Sequence, residues 1–237
     1  MTPFRLLLPG TLVAATAVAA VLAPLWTYAL SLALFGLPHV LTELRYVDER
    51  FGARLHRATV RWLGLGLLAI VLLRLASLGA IGSASGRATS ELLVGGALVA
   101  AAVPVLLRRG SSPVAFAVLI ALVAGAIGAP IATLVVLALL HNLTPVGFLA
   151  ERLRGAERAR ALLACGGVFG VVPALIGAGG FDAVLAMLPL PATGAGPLGT
   201  GEIDLHLAVF VPPALLDAPF AVDLFAAAAY LQCMHYA

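Results

Sequence analysis

Apolar runs of about 17 or more residues recur along the whole chain, divided by short polar or Pro/Gly-marked breaks. This pattern predicts helices, because a membrane barrel strand would alternate apolar and polar positions over about 10 residues. The first run extends from Leu6 to Leu41, too long for one crossing of a bilayer, and its interruption at Ala23-Pro24 predicts helices over 6–22 and 25–44. Later runs predict helices over 62–80, 91–107, 114–128, 131–150, 161–178 and 220–237, with a tight break at Gly128-Ala129-Pro130. Residues 45–61 read as a solvated loop or interfacial helix, and 180–216 as a long Gly/Pro-rich connection. Within 161–178, Gly166-x-x-x-Gly170 has the spacing at which helices pack closely.

Composition turns the pattern into a class. The chain is 62% hydrophobic and 11% charged, against roughly 45–50% and 25% in soluble domains. It therefore reads as one all-α domain over 1–237, a polytopic integral membrane bundle of about eight transmembrane helices whose first partner is the lipid bilayer. All fourteen basic residues are arginine and the formal charge is only +3, which gives no footprint for nucleic acid. The arginines instead sort by loop. With the N-terminus inside, the inner segments hold twelve and the outer loops only Arg87, while Arg74 falls within the third span. That asymmetry predicts a bacterial-type inner-membrane protein with both termini cytoplasmic.

Against this background the polar residues inside apolar runs carry the chemistry, since such placement is costly in lipid unless each group meets a partner. His39 and Glu43 are four apart, on one helix face. His141 and His235 lie in two other apolar runs, and the topology puts all three histidines at similar depth. Imidazoles from facing helices with an added carboxylate suit a first-row metal. Asn142, Gln232 and Tyr236 are candidates to orient the imidazoles. Pro145 lacks the N–H that would bond the carbonyl of His141, and Pro38 precedes His39, so both helices are expected to loosen beside a candidate ligand. Cys165 and Cys233 have no C-x-x-C spacing, and Cys233 points about 200° away from His235 on a helix, so neither thiol joins the set. Arg74 reads as a snorkelling or paired residue, with Asp217 and Asp223 as possible partners or helix caps. His56 reads as solvated, and His206, with Glu202 and Asp204, as a minor candidate for meeting an ion.

The run Gly36-Leu37-Pro38-His39-x-x-x-Glu43 resembles the first histidine motif of the Brp/Blh family of membrane β-carotene dioxygenases, in which Gly-x-Pro-His is followed four residues later by an acid. The resemblance implies a multi-helix membrane protein that holds non-haem iron through histidines and splits carotene into two molecules of retinal. By it His39 is an iron ligand, and His141 and His235 are the later ones. The family pattern has aspartate then histidine where this chain has Glu43 and Leu44. Its closing pair of histidines, four apart, is represented by His235 alone, with Leu231 at the earlier position. A fourth histidine ligand thus has no counterpart.

Three functional readings follow. The first is an oxygenase with iron (Fe2+) on His39, His141 and His235, Glu43 as ligand or base, and O2 and an apolar isoprenoid, carotenoid or other lipid as substrates. The second is a transporter whose same residues carry protons or a metal. The third is a bis-histidine haem protein. A transporter is expected to show repeated halves with matched broken helices, and no convincing repeat is present.

Overall fold

In a computed structural model, residues 4–51, 57–78, 81–107, 112–181, 187, 203 and 206–236 are described. His56, Arg108 and Arg109, Glu202 and Asp204 lie outside them, as does most of the 180–216 connection. All regular structure among the described residues is helical. The helices are α1 Phe4–Leu22, α2 Pro24–Phe51, α3 Arg57–Leu78, α4 Ala84–Leu107, α5 Ser112–Gly128, α6 Pro130–His141, α7 Thr144–Arg152, α8 Gly155–Gly166, α9 Val172–Gly177 and α10 Ala221–Tyr236. A π-helical turn, Gly167–Val171, joins α8 to α9, and two 3-10 turns, Leu207–Val209 and Pro213–Leu215, precede α10. Among the described residues, two stretches of 23 residues, Pro130–Arg152 and Gly155–Gly177, are long and apolar enough to cross a membrane, and Gly10–Leu22, Pro24–Gly36 and Phe116–Gly128 are shorter apolar helices.

Three of the expected proline breaks are found, and the one at Pro38 is not. α2 begins at Pro24, which needs no N–H at a helix start, and α6 begins at Pro130 in the same way. α6 ends at His141, and α7 restarts with Pro145 in its first turn. The expected loosening at Pro38 is not found, since α2 runs through it to Phe51. The solvated loop expected from residue 45 is likewise helical through Phe51, where Arg45 and Glu49 pair at 2.7 Å one turn apart.

The predicted 161–178 helix is α8, the π-turn and α9 together. Pro173 offers no N–H to the carbonyl four residues back, and the turn before it widens so that Val172 N–H bonds the carbonyl of Gly167. At Gly166 and Gly170 an added Cβ would meet nothing within 4 Å, so the expected close packing at this motif does not occur among the described residues. α9 ends on Gly179 at φ +68, with Gly179 N–H bonded to the Ile176 carbonyl and Gly180 N–H to that of Leu175. This left-handed cap is one that glycine supplies without steric cost.

The chain divides into two compact units. Unit 1 comprises residues through Glu43 and from Ala138 onward, and unit 2 comprises Leu44–Leu137. The centre of unit 1 is α10, where Phe225, Ala229 and Tyr230 are fully buried. Its alanines at 226–229 keep the helix thin and helix-favouring, so neighbours approach on several sides. Ala17 and Ala20 of α1 and Ile176 of α9 pack against Ala226, Ala227 and Tyr230, while Leu25 of α2 packs with Phe210, Val211 and Phe225. The ring of Tyr28 stands edge-on to both Phe210 and Phe225. This packing fixes α2 against α10 and thereby the register of the residues that follow Tyr28.

In unit 2, α4 packs with both α3 and α5, around a small core of Leu92, Leu122 and Ala126. α5 and α6 meet at Ala129 in a sharp corner that brings Thr133 against Gly125, and a Cβ on Gly125 would overlap the Thr133 side chain. In a straight helix these two positions would be about 12 Å apart.

Candidate metal centre

Three helices of unit 1 deliver four side chains to one point. α2 supplies His39 and Glu43, one turn apart on the same face. α6 supplies His141 as its last residue, immediately before the break that Pro145 enforces. The last turn of α10 supplies His235. One donor atom from each lies within 4.8 Å of all the others. Nε2 of His39 is 2.7 Å from Nε2 of His235 and 3.3 Å from Oε1 of Glu43. The ring centroids of His141 lie 4.7 Å from His235 and 6.3 Å from His39.

Donors bonded to one ion at about 2.0–2.2 Å stand about 3 Å apart when adjacent and about 4.2 Å when opposed, so this spacing is close to that of a coordination sphere. A hydrogen bond shared between the His39 and His235 rings accounts for the first contact alone. It leaves unexplained why His141, from a third helix, converges on the same spot. Nδ1 of His235 is also buried without a hydrogen bond of good geometry, although the Asn142 backbone interacts with this ring. Imidazoles with a carboxylate and no thiolate form a donor set that fits iron, zinc or manganese. Cys233 is turned away, as its helical position requires, and contacts Thr16 of α1.

The surroundings are uneven. His235 is buried, His39 and Glu43 are half-buried, and His141 is exposed, so the centre is closed toward α10 and open beside His141. Tyr236 lies over His39 with ring centroids 5.0 Å apart, and its hydroxyl accepts a long 3.4 Å hydrogen bond from Nε2 of Gln232. A Cβ on Gly36 would stand in ordinary contact with the Tyr236 hydroxyl at 4.0 Å and closer to Leu32 at 3.3 Å. Asn142 is buried in the α6–α7 break, and its backbone rather than its side chain is the group that meets His235.

One ionic pair was not foreseen in full. Arg74, read as a snorkelling or paired residue, is paired: its Nη2 meets Oε2 of Glu91 at 2.7 Å, an acid other than the Asp217 and Asp223 offered as partners or helix caps. Glu91 is a buried acid seventeen residues away on the next helix, where the sequence offers Arg87, one turn before it, as the nearer basic neighbour. His206, although described, is not among the converging residues.

Comparison of the chain with protein-family models, curated proteins and solved structures gave no match.

Proposed function

We propose that this chain is a membrane-embedded, metal-dependent oxygenase of the carotenoid-cleaving type, related to the Brp/Blh dioxygenases, with iron held by His39, His141 and His235. The observation that carries the reading is the convergence of those three imidazoles and Glu43 from three separate helices. Iron, when bound, supplies O2 activation that no side chain provides. The protein's part is to hold the imidazoles fixed, to keep water from the buried His235 side, and to leave the His141 side open to an apolar substrate. Glu43 stands ready at the same point, as a ligand or as a base.

A membrane setting of about eight spans, with both termini cytoplasmic, is part of the proposal. It is supported by the arginine asymmetry and by α3, where Trp62, Leu65, Leu68, Leu72 and Leu75 are each more than half exposed. The haem reading fits less well. It would need two of the three histidines facing one haem from either side, and the His39–His235 pair, with its nitrogens 2.7 Å apart, leaves no room for one.

The test is conversion of β-carotene and of a total lipid extract in cells expressing the wild-type chain or His141→Ala. Wild-type cells are expected to form a cleaved, oxygenated product and the variant none. Equal turnover in both would remove the oxygenase reading and favour a proton or metal carrier.

A further inference from the structure

Resting on the proposed metal centre and sharpening it, we infer that Glu43 is the fourth protein ligand, so that the site is a three-histidine, one-carboxylate centre and not a three-histidine centre with an outer acid. The argument turns on which nitrogen of His39 the carboxylate faces. An acid that orients a metal-bound histidine from outside accepts a hydrogen bond from the ring nitrogen that does not bind metal. If Nε2 of His39 is the donor that faces His235, an orienting acid belongs at Nδ1. Oε1 of Glu43 instead lies 3.3 Å from Nε2, the same atom that approaches Nε2 of His235 at 2.7 Å. The carboxylate therefore sits on the inner side of the ring, among the donors, and its oxygen is one of the four atoms within 4.8 Å of each other.

Charge supports the same assignment. Three neutral imidazoles around a divalent ion leave a net charge of +2 among apolar helices, whereas a carboxylate ligand lowers it to +1. Because the solvation cost of a buried ion grows as the square of its charge, that change reduces the cost to about a quarter. The sequence places no other acid beside the three histidines: Asp48 and Glu49 lie beyond the next turn, and Glu49 is bonded to Arg45. Glu43 also stands one helical turn from His39, a spacing that lets both side chains grip one ion without moving the backbone.

The experiment measures affinity for Fe2+ and Co2+ by competition with a chelator, using full-length detergent-purified wild type, Glu43→Gln, Glu43→Asp and His39→Ala. Losing an outer orienting group costs about 10–100-fold in affinity. As a ligand, Glu43 is expected to cost more than 1000-fold when changed to Gln and to shift the visible absorption bands of the bound Co2+. Glu43→Asp, which keeps a carboxylate, should retain measurably more affinity than Glu43→Gln, and this order guards against a general folding defect. If Glu43→Gln stays within 100-fold of wild type with an unaltered Co2+ spectrum while His39→Ala loses metal, the inference fails and the three-histidine centre stands. If His39→Ala keeps wild-type affinity, the metal centre itself is wrong.

Discussion

Glu43 and Glu91 are both carboxylates on apolar helices, one in each unit of the molecule, and they are answered in opposite ways. Glu91 is buried and meets a guanidinium at 2.7 Å, so its charge is compensated within the protein. Glu43 meets imidazoles, which are neutral unless they take up a proton and which crowd against each other as well as against the acid. Carboxylate and imidazole donors brought to one point become favourable together when a cation stands at the centre. The difference sets a structural ion pair apart from the proposed metal site without reference to depth in a membrane.

The largest effect that can break this contrast is removal of a donor from unit 1. His39→Ala, His141→Ala and His235→Ala should each lose bound metal and product formation together, whereas Arg74→Ala should keep both. Metal content by elemental analysis beside the conversion assay checks this, and a histidine variant that keeps full metal would put that residue outside the site.

Next in size is the pair in unit 2. Breaking a fully buried ion pair costs about 3–5 kcal/mol, but the Arg74 side chain is 64% exposed and partly solvated, so Arg74→Ala should cost about 2 kcal/mol. Changing both partners, Arg74→Leu with Glu91→Leu, should recover most of that loss. Thermal unfolding in detergent with metal content followed in parallel reads both, and a double variant no better than the single one would mean that Glu91 has another role.

A smaller cost is expected at the α5–α6 corner. Gly125→Ala forces a methyl onto Thr133 and should destabilise by about 1–3 kcal/mol, while Gly125→Ala with Thr133→Ala should relieve it. Gly170→Ala, on an open face, should change little, and a large loss there would show that the glycine motif packs against something after all.

The smallest change is expected at Tyr236. Its hydroxyl accepts a long 3.4 Å bond from Gln232, so Tyr236→Phe should keep the metal and lower turnover less than tenfold. A metal-free Tyr236→Phe protein would promote the tyrosine to a ligand.

Much of this organisation can be read from residue order alone. The helix breaks at Pro24, Pro130 and Pro145 follow from a missing N–H, and the one-turn spacing of His39 and Glu43 follows from helix geometry. Pro38 misleads because the same missing bond can be absorbed inside a long helix that is held on other faces. The Gly166-x-x-x-Gly170 spacing misleads because small residues permit an approach without causing one, and at this position the backbone uses its freedom for a π-turn beside Pro173. The Arg74–Glu91 pair is not legible because it joins two helices, and helical periodicity relates only residues on one. The convergence of the histidines is legible only through an assumed topology. Its cause is tertiary, in the packing of Tyr28 and Leu25 against Phe210 and Phe225, which sets α2 beside α10.

X-ray absorption at the iron edge of the purified, iron-loaded wild-type chain tests the central claim most directly. The account predicts one iron per chain with only nitrogen and oxygen neighbours at about 2.0–2.2 Å and the outer-ring scattering of three imidazoles. Sulfur at about 2.3 Å, a single imidazole, or iron that washes away from correctly folded protein would contradict it.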